Sequence, residues 1–287
     1  MIRKERRYNA PYSVNISVTE KCPLKCPICF REYGKRYELE PRSIYKYIDE
    51  LALLGTKQVQ FSGGEPLVYP YLVEIIAYTH KKGIRTAIST SGVGMTVEYA
   101  KRLEEAGLDC CYISLNGSNA RIHEITREGF QYSKKALEIL SMSRLTVAIN
   151  WVASHKNIED LPQLIALAKT FNVKYICVLS MKKNNLGVVC DPLDKMDFDT
   201  LLQYCRMFKG YLIVESCFNE LGSVLKGGRF LGEGCRAGTF YMAISAKGNF
   251  MPCPHLIDSG EKYLSIKEYW NHDRELEWYR GNRTCSL

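Results

Sequence analysis

No apolar run in this chain approaches the roughly 20 residues that a membrane-spanning helix requires. The start, Met1-Ile2-Arg3-Lys4-Glu5-Arg6-Arg7, also lacks the apolar core of a secretory signal. Both absences predict a cytoplasmic protein with no membrane partner. Low-complexity tracts and internal repeats are missing too, and with 46% hydrophobic and 24% charged residues the composition excludes disorder, collagen and coiled coil. Charge of one sign is in only mild excess, 39 Lys+Arg against 31 Asp+Glu for a net +8. That balance fits an anionic cofactor, an acidic peptide, RNA or a plain solvated surface, so it chooses no partner. What the chain does not lack is cysteine, with 12 in 287 residues. Cytosolic thiols stay reduced and a chain of this length needs no staples, so metal binding or thiol chemistry is expected rather than a disulfide framework.

Short strand-like runs alternate with helical periods through the first two-thirds of the sequence, the pattern of a parallel sheet built from βα units. Strands are predicted over 12–18, 58–62, 85–89, 109–115, 145–152 and 173–179, with helices over 41–54, 71–82, 97–106, 133–143 and 161–171. Gly55, Gly83, Gly107 and Asn172 stand where helices end. Six units are too few for a closed eight-fold barrel. The count predicts an α/β fold, a partial (β/α)6 TIM-like barrel, with its chemistry at the C-terminal ends of the strands. After Lys182 a helix over 198–208 and a strand over 211–215 lead into a glycine-rich stretch at 227–234. A hairpin turning at Ala246-Lys247-Gly248 and a last helix over 266–280 follow. The expected division is a barrel at 1–209, a bridging strand and linker at 210–234, and a small hairpin-plus-helix extension at 235–287, too short for a large core of its own.

Three cysteines, Cys22, Cys26 and Cys29, are spaced C-x3-C-x2-C in the loop after the first strand. Soft thiolates so spaced suit zinc or an iron–sulfur cluster. Closed zinc sites need a fourth ligand, and no second C-x-x-C pair exists; the thiols alone also leave simple packing open. The next strand ends in Phe61-Ser62-Gly63-Gly64-Glu65-Pro66, where two glycines allow close backbone approach and a carboxylate stands ready for an ammonium group. A tight βα turn is the alternative purpose of those glycines.

These two motifs, one βα unit apart, resemble the hallmarks of the radical S-adenosylmethionine (SAM) superfamily. The resemblance implies that Cys22, Cys26 and Cys29 bind three irons of a [4Fe–4S] cluster and that SAM chelates the fourth. Gly63, Gly64 and Glu65 would then hold the methionine amine. Reductive cleavage of SAM, with electrons from an external donor of flavodoxin or ferredoxin type, would yield a 5′-deoxyadenosyl radical that abstracts a substrate hydrogen. The family usually carries an aromatic residue where this chain has Ile28, so the resemblance carries over backbone contact with adenine there but not ring packing. Ser89, Ser114, Asn116 and Asn150 look like family positions that contact the nucleoside. Arg127, in His123-x3-Arg127, resembles a cation near the methionine carboxylate. Serving the local backbone as turn or cap residues is the competing role for each.

Cys235, twelve residues, Gly248, four residues and Cys253 resemble the opening of the Twitch and SPASM extensions, which bind auxiliary iron–sulfur clusters. By that resemblance a second [4Fe–4S] cluster would take Cys235, Cys253 and Cys285, with the fourth ligand open and His255 a candidate. Cys217 ends the strand before the linker, where a thiol could return a hydrogen atom to a substrate radical. The leading expectation is therefore a radical SAM enzyme acting on a peptide substrate. It would be a maturase of a ribosomally made peptide, with Cys217 as donor in an L-to-D epimerisation. Thioether or carbon–carbon cross-linking is the first alternative, and a sugar or aminoglycoside epimerase or dehydrogenase the second. A non-catalytic iron–sulfur or RNA-binding protein would leave the Gly-Gly-Glu turn without a purpose, and no nucleic-acid partner is expected.

Overall fold

The computed structural model describes residues 8–218, 234–256 and 263–282. In chain order its strands are β1 (Ser13–Thr19), β2 (Gln58–Gly63), β3 (Arg85–Thr90), β4 (Cys110–Ser114), β5 (Thr146–Val152), β6 (Tyr175–Leu179), β7 (Leu212–Val214), β8 (Tyr241–Ile244) and β9 (Phe250–Met251). The helices, numbered here in chain order, are α1 (Pro41–Leu54), α2 (Leu72–Lys81), α3 (Val97–Glu105), α4 (Ala120–His123), α5 (Phe130–Leu140), α6 (Leu161–Thr170), α7 (Lys195–Met207), α8 (Ile266–His272) and α9 (Arg274–Asn282). The strands form one sheet in the order β7-β6-β5-β4-β3-β2-β1-β8-β9. Every neighbouring pair is parallel except the β8–β9 hairpin. Sequential parallel strands with intervening helices are the partial TIM-like barrel that the βα alternation predicts.

Alternation along the strands sorts the two faces. Val14, Ile16, Phe61, Ile88, Ile113, Ile149, Ile176 and Val178 are fully buried in one core with Ile44, Ile48, Leu72, Ile75, Leu103, Leu137 and Leu164 from the helices. Burying side chains of this kind contributes about 1.5–3 kcal/mol each. The residues between them in the strands face the other way, and they are mostly polar: Asn15, Gln60, Ser89, Tyr112, Asn150 and Cys177. A closed barrel fills its interior with branched apolar side chains. This inner face is instead cross-linked by polar contacts, Ser62 Oγ donating to Asn15 Oδ1 at 2.7 Å, and Gln60 Nε2 and Asn150 Nδ2 both donating to Ser89 Oγ at 2.6 and 3.1 Å.

Among the element boundaries that differ from the sequence expectation, two have a plain local cause. The helix expected from 133 starts three residues earlier, because Gly129 adopts φ +85° at its N-cap and lets the chain enter from the short α4 turn. The single last helix is two: Asp273 leaves helical geometry at ψ 129° and its side chain accepts Leu276 N–H at 2.7 Å, ending α8 and starting α9. No helix among the described residues is long and apolar enough to cross a membrane.

Candidate functional site

The three cysteines of the first loop lie at the C-terminal end of β1, on a loop whose backbone is held from three sides. Cys29 N–H bonds back to the Cys26 carbonyl at 2.9 Å. From the α4–α5 turn, Glu128 N–H donates to Cys26 Sγ at 3.3 Å and its carboxylate accepts Lys25 N–H at 2.7 Å, while Ile28 N–H reaches the Thr126 carbonyl at 3.2 Å. After β6, Asn184 Nδ2 donates to the Pro27 carbonyl at 3.1 Å and Asn185 N–H to the Cys29 carbonyl at 2.9 Å. Ile28 is buried and its amide hydrogen is used internally, by the Thr126 carbonyl.

The Gly-Gly turn after β2 explains its glycines by contact with this same loop. Gly63 has φ +152°, and a Cβ there would sit 2.3 Å from the Thr19 carbonyl oxygen; at Gly64 it would sit 2.3 Å from that of Lys21. Gly64 N–H and Glu65 N–H donate to those two carbonyls at 2.7 and 2.9 Å. What the glycines approach is therefore the start of the cysteine loop, which they clamp to β2. Glu65 is fully buried, and its carboxylate accepts Leu67 N–H at 3.1 Å, Ser91 N–H at 2.8 Å and the hydroxyls of Thr90 and Ser91. Burial pushes its pKa above the ordinary carboxylate value despite those donors. The expectation of a carboxylate waiting for an ammonium group is corrected here: Glu65 ties the end of β2 to the end of β3, and its oxygens are occupied.

Asn116 is likewise internal. Its amide nitrogen donates to Thr126 Oγ1 at 2.9 Å, its amide oxygen accepts Val152 N–H at 3.0 Å, and its own N–H donates to His123 Nδ1 at 3.1 Å. A side chain so buried and committed is not presented to a nucleoside, which also corrects its expected role. Burial beside Arg127 lowers the His123 pKa to about 4, so the ring is the neutral acceptor that Asn116 needs. Ser89 and Asn150 do lie on the inner face, bonded to each other. Ser114 is half-buried in register with Asn150, and its carbonyl accepts the Ser133 hydroxyl at 3.0 Å.

Two guanidinium groups face the cysteine loop. Arg127 lies near Cys26, Cys29 and Cys22, and its Nε is buried without a hydrogen-bond partner among the described residues. Arg31, which the sequence reading missed, donates through Nη2 to Ser17 Oγ at 2.7 Å and lies near Cys29, Glu20 and Cys22. Its only sequence signal is a cation two places after the third cysteine. Burial raises the Cys26 thiol and pushes Cys22 up to about 12. Thiols held this way ionise readily only against added positive charge, which a metal centre supplies. Beside them opens a cleft of about 470 Å³, lined by Cys22, Cys29, Arg31, Lys21, Tyr33 and Gly64. Three soft donors, a cleft at their side and an orphaned buried guanidinium nitrogen fit an iron–sulfur cluster that carries an anionic ligand.

The family model of the radical SAM superfamily matches residues 16–168, just over half of the sequence. The chain belongs to this superfamily. Members of this family bind a [4Fe–4S] cluster and SAM. The chain is 26% identical to an AdoMet-dependent heme synthase of Methanosarcina barkeri over 292 residues, covering 92% of this chain and 83% of that protein. It is 33% identical to a PqqA peptide cyclase of Ruegeria pomeroyi over 165 residues, 55% of this chain and 44% of that one. A PqqA peptide cyclase of Bradyrhizobium diazoefficiens matches at 26% over 98% of this chain and 79% of its own length. Among solved structures, Streptococcus suis SuiB bound to the precursor peptide SuiA superposes with a TM-score of 0.80 at 17% identity, over 95% of this chain and 67% of that chain. anSMEcpe with bound AdoMet and the Kp18Cys peptide gives 0.70 at 17% identity, over 93% and 82%. At such identities the superpositions establish the shared fold.

The second cysteine group gathers beneath the hairpin. Cys235 and Cys253 are buried with Ala237 and Tyr279, and the Tyr241 hydroxyl points at Cys253 Sγ, 3.9 Å away. Tyr241 also feels Cys217 and Cys235, so Cys217, half-buried after β7, shares this neighbourhood. His255 turns elsewhere. Its ring packs tilted against Phe30 with centroids 4.4 Å apart, and burial near Lys182 and Arg31 lowers its pKa to about 3, leaving the imidazole neutral. Cys285 lies outside the described residues.

Proposed function

We propose that this chain is a peptide-modifying enzyme, a maturase of a ribosomally synthesised precursor. Cys22, Cys26 and Cys29 would hold one [4Fe–4S] cluster whose open iron takes the amine and carboxylate of SAM. When bound and reduced by a flavodoxin- or ferredoxin-type donor, that pair supplies a 5′-deoxyadenosyl radical. The observation that carries the reading is the buried, unpartnered Nε of Arg127 set against three thiols beside an open cleft. Arg127 would pair with the SAM carboxylate, the Gly63 and Gly64 backbone would position its amine, and Ser89, Ser114 and Asn150 would line the nucleoside on the inner face. The peptide as substrate is supported by the names of the cyclase relatives and by SuiB, whose structure holds its precursor peptide.

The finer reading has two parts. First, Cys217, Cys235 and Cys253, with Cys285, would form a four-thiolate auxiliary cluster site joining the bridging segment at 210–234 to the extension at 235–287. A thiolate on iron carries no S–H, so Cys217 in that role gives up the hydrogen-donor part expected of it. Second, the reaction is read as epimerisation, for which a different donor is argued below. A small-molecule substrate is the second reading, supported by the resemblance to the heme synthase along 92% of the chain.

Iron counting tests the clusters. Anaerobic reconstitution should load about eight irons, and the triple change C22A/C26A/C29A should leave about four and form no 5′-deoxyadenosine. Cys235→Ala with Cys253→Ala should also leave about four, and Cys217→Ala should lose iron with them. One equivalent of zinc with little iron would overturn the reading. For the substrate, a short peptide encoded beside the gene should return with unchanged mass and one inverted residue; a product lighter by two hydrogens selects cross-linking or dehydrogenation, and conversion of a heme precursor with none of the peptide selects the second reading.

A further inference from the structure

The inner face carries four oxidisable side chains that none of the assignments above uses. On β4 they are Cys110 and Tyr112, and on β6 Tyr175 and Cys177, each pair two residues apart and so on one face. Between the two strands runs β5, where Ala148 is the register partner of both Tyr112 and Tyr175. Its methyl group leaves the two rings room to meet above it. Their hydroxyls are 2.9 Å apart, and Cys110 Sγ lies 3.8 Å from the Tyr175 hydroxyl. Cys177 stands one step nearer the C-terminal ends of the strands, two residues after Tyr175 on the same face of β6 and in register with Asn150. Four polar groups in this place are poor packing material, since apolar residues of the same size would fill the space without desolvating a thiol or phenol.

The geometry points to a hydrogen-atom relay, in which Cys177 gives its S–H hydrogen to a carbon radical in the barrel and the Tyr175–Tyr112 pair restores it. This rests on the radical chemistry proposed above and names the donor that epimerisation requires. In the first step the Cys177 S–H bond breaks, a C–H bond forms on the substrate radical, and a thiyl radical remains. Next one electron passes from Tyr175 to the thiyl; the sulfur takes a solvent proton and re-forms its S–H bond while Tyr175 releases its hydroxyl proton, leaving a phenoxyl radical shared with Tyr112 through their hydrogen bond. One electron from the external reductant and one solvent proton then return the phenol. Thiols and phenols are the side chains whose X–H bonds are weak enough for these transfers, provided they keep their hydrogen. Burial pushes Cys177 up to about 12 and holds Cys110 and both phenols above their ordinary values, so all four are protonated at neutral pH.

The deoxyadenosyl radical itself serves as the probe, so no substrate need be known. Reconstituted enzyme with SAM and dithionite in heavy water, without peptide, should release 5′-deoxyadenosine carrying one deuterium, because the Cys177 thiol exchanges with solvent. Cys177→Ser, whose O–H bond is too strong to donate and whose shape is conserved, should lower the deuterated fraction several-fold while deoxyadenosine still forms; Cys177→Ala should do the same. Freeze-quenched wild type should show a tyrosyl electron paramagnetic resonance signal that Tyr175→Phe removes. An unchanged deuterated fraction in both Cys177 variants, or its loss in Cys217→Ala alone, would overturn the relay. A wild type that makes deoxyadenosine with no deuterium sinks the relay but spares the radical reading, whereas one that makes no deoxyadenosine sinks both.

Discussion

Glu65 shows how a residue that reads as a ligand in one dimension becomes a strut in three. Its four donors come from the turn it belongs to and from the end of β3, so the carboxylate sets the distance between two loops at the mouth of the barrel. Glu65→Gln keeps the size but points an NH2 at the N–H of either Leu67 or Ser91. The expected cost is about 1–3 kcal/mol, the penalty for a buried donor left without an acceptor, read as a lower denaturation midpoint of the metal-free protein. The pH dependence has a definite sign. Burial raises the folded pKa above 4.5, so the folded chain holds the proton where the unfolded chain has released it. The Glu65 contribution to stability therefore falls as pH climbs from the unfolded value through the folded one, and the Gln variant should lack that component of the slope. Equal slopes in the two proteins would show that Glu65 does not ionise with a shifted pKa.

Most elements were legible from periodicity, since helices such as Pro41–Leu54 place Ile44, Ile48 and Leu51 on one buried face. At the last helix, where reading failed, a side-chain cap decided. Residues 266–280 carry a continuous helical pattern, and the break at Asp273 comes from its own side chain: the carboxylate accepts Leu276 N–H, three residues on, and the Tyr263 hydroxyl, ten residues back, at 2.7 and 2.6 Å. Glu50 on α1 then accepts the N–H groups of Ile266 and Lys267 at 3.0 and 2.9 Å, which docks α8 on the barrel. Asp273→Ala removes a buried cap and strands the Leu276 N–H. It should cost about 1–2 kcal/mol or somewhat more, measured by thermal or denaturant unfolding, with the Asn variant recovering part of the loss.

At the scale of the molecule, the hairpin is an extension of the barrel sheet. β8 lies parallel to β1 with Ser13 opposite Tyr241 and Ile16 opposite Ile244, and Met242 and Ile244 join the main core. Trp270 of α8 is fully buried and donates to the Tyr8 carbonyl at 3.1 Å, closing the same edge. Cutting the chain after residue 234 would leave β1 as a bare edge strand flanked by uncovered apolar side chains, the arrangement that templates aggregation. The truncated protein should be insoluble or oligomeric by light scattering, whereas a freely folding monomeric barrel of the remaining residues would refute this account.

The sequence by itself determined the order of βα units, the thiol loop after the first strand, the Gly-Gly-Glu turn one unit later and the hairpin between Cys235 and Cys253. All of these are local patterns, set by side-chain period, turn chemistry and short spacings. Only the tertiary structure decided which polar groups stay available. Glu65 and Asn116 are consumed by partners 25 and 36 residues away, Arg31 is turned into the barrel by Ser17, and Cys217 and Cys177 are sorted to different neighbourhoods. The physical reason is that a buried polar atom must find its partner wherever the packed sheet brings one within about 3 Å, and that pairing is a property of register between strands, which no single stretch of sequence contains.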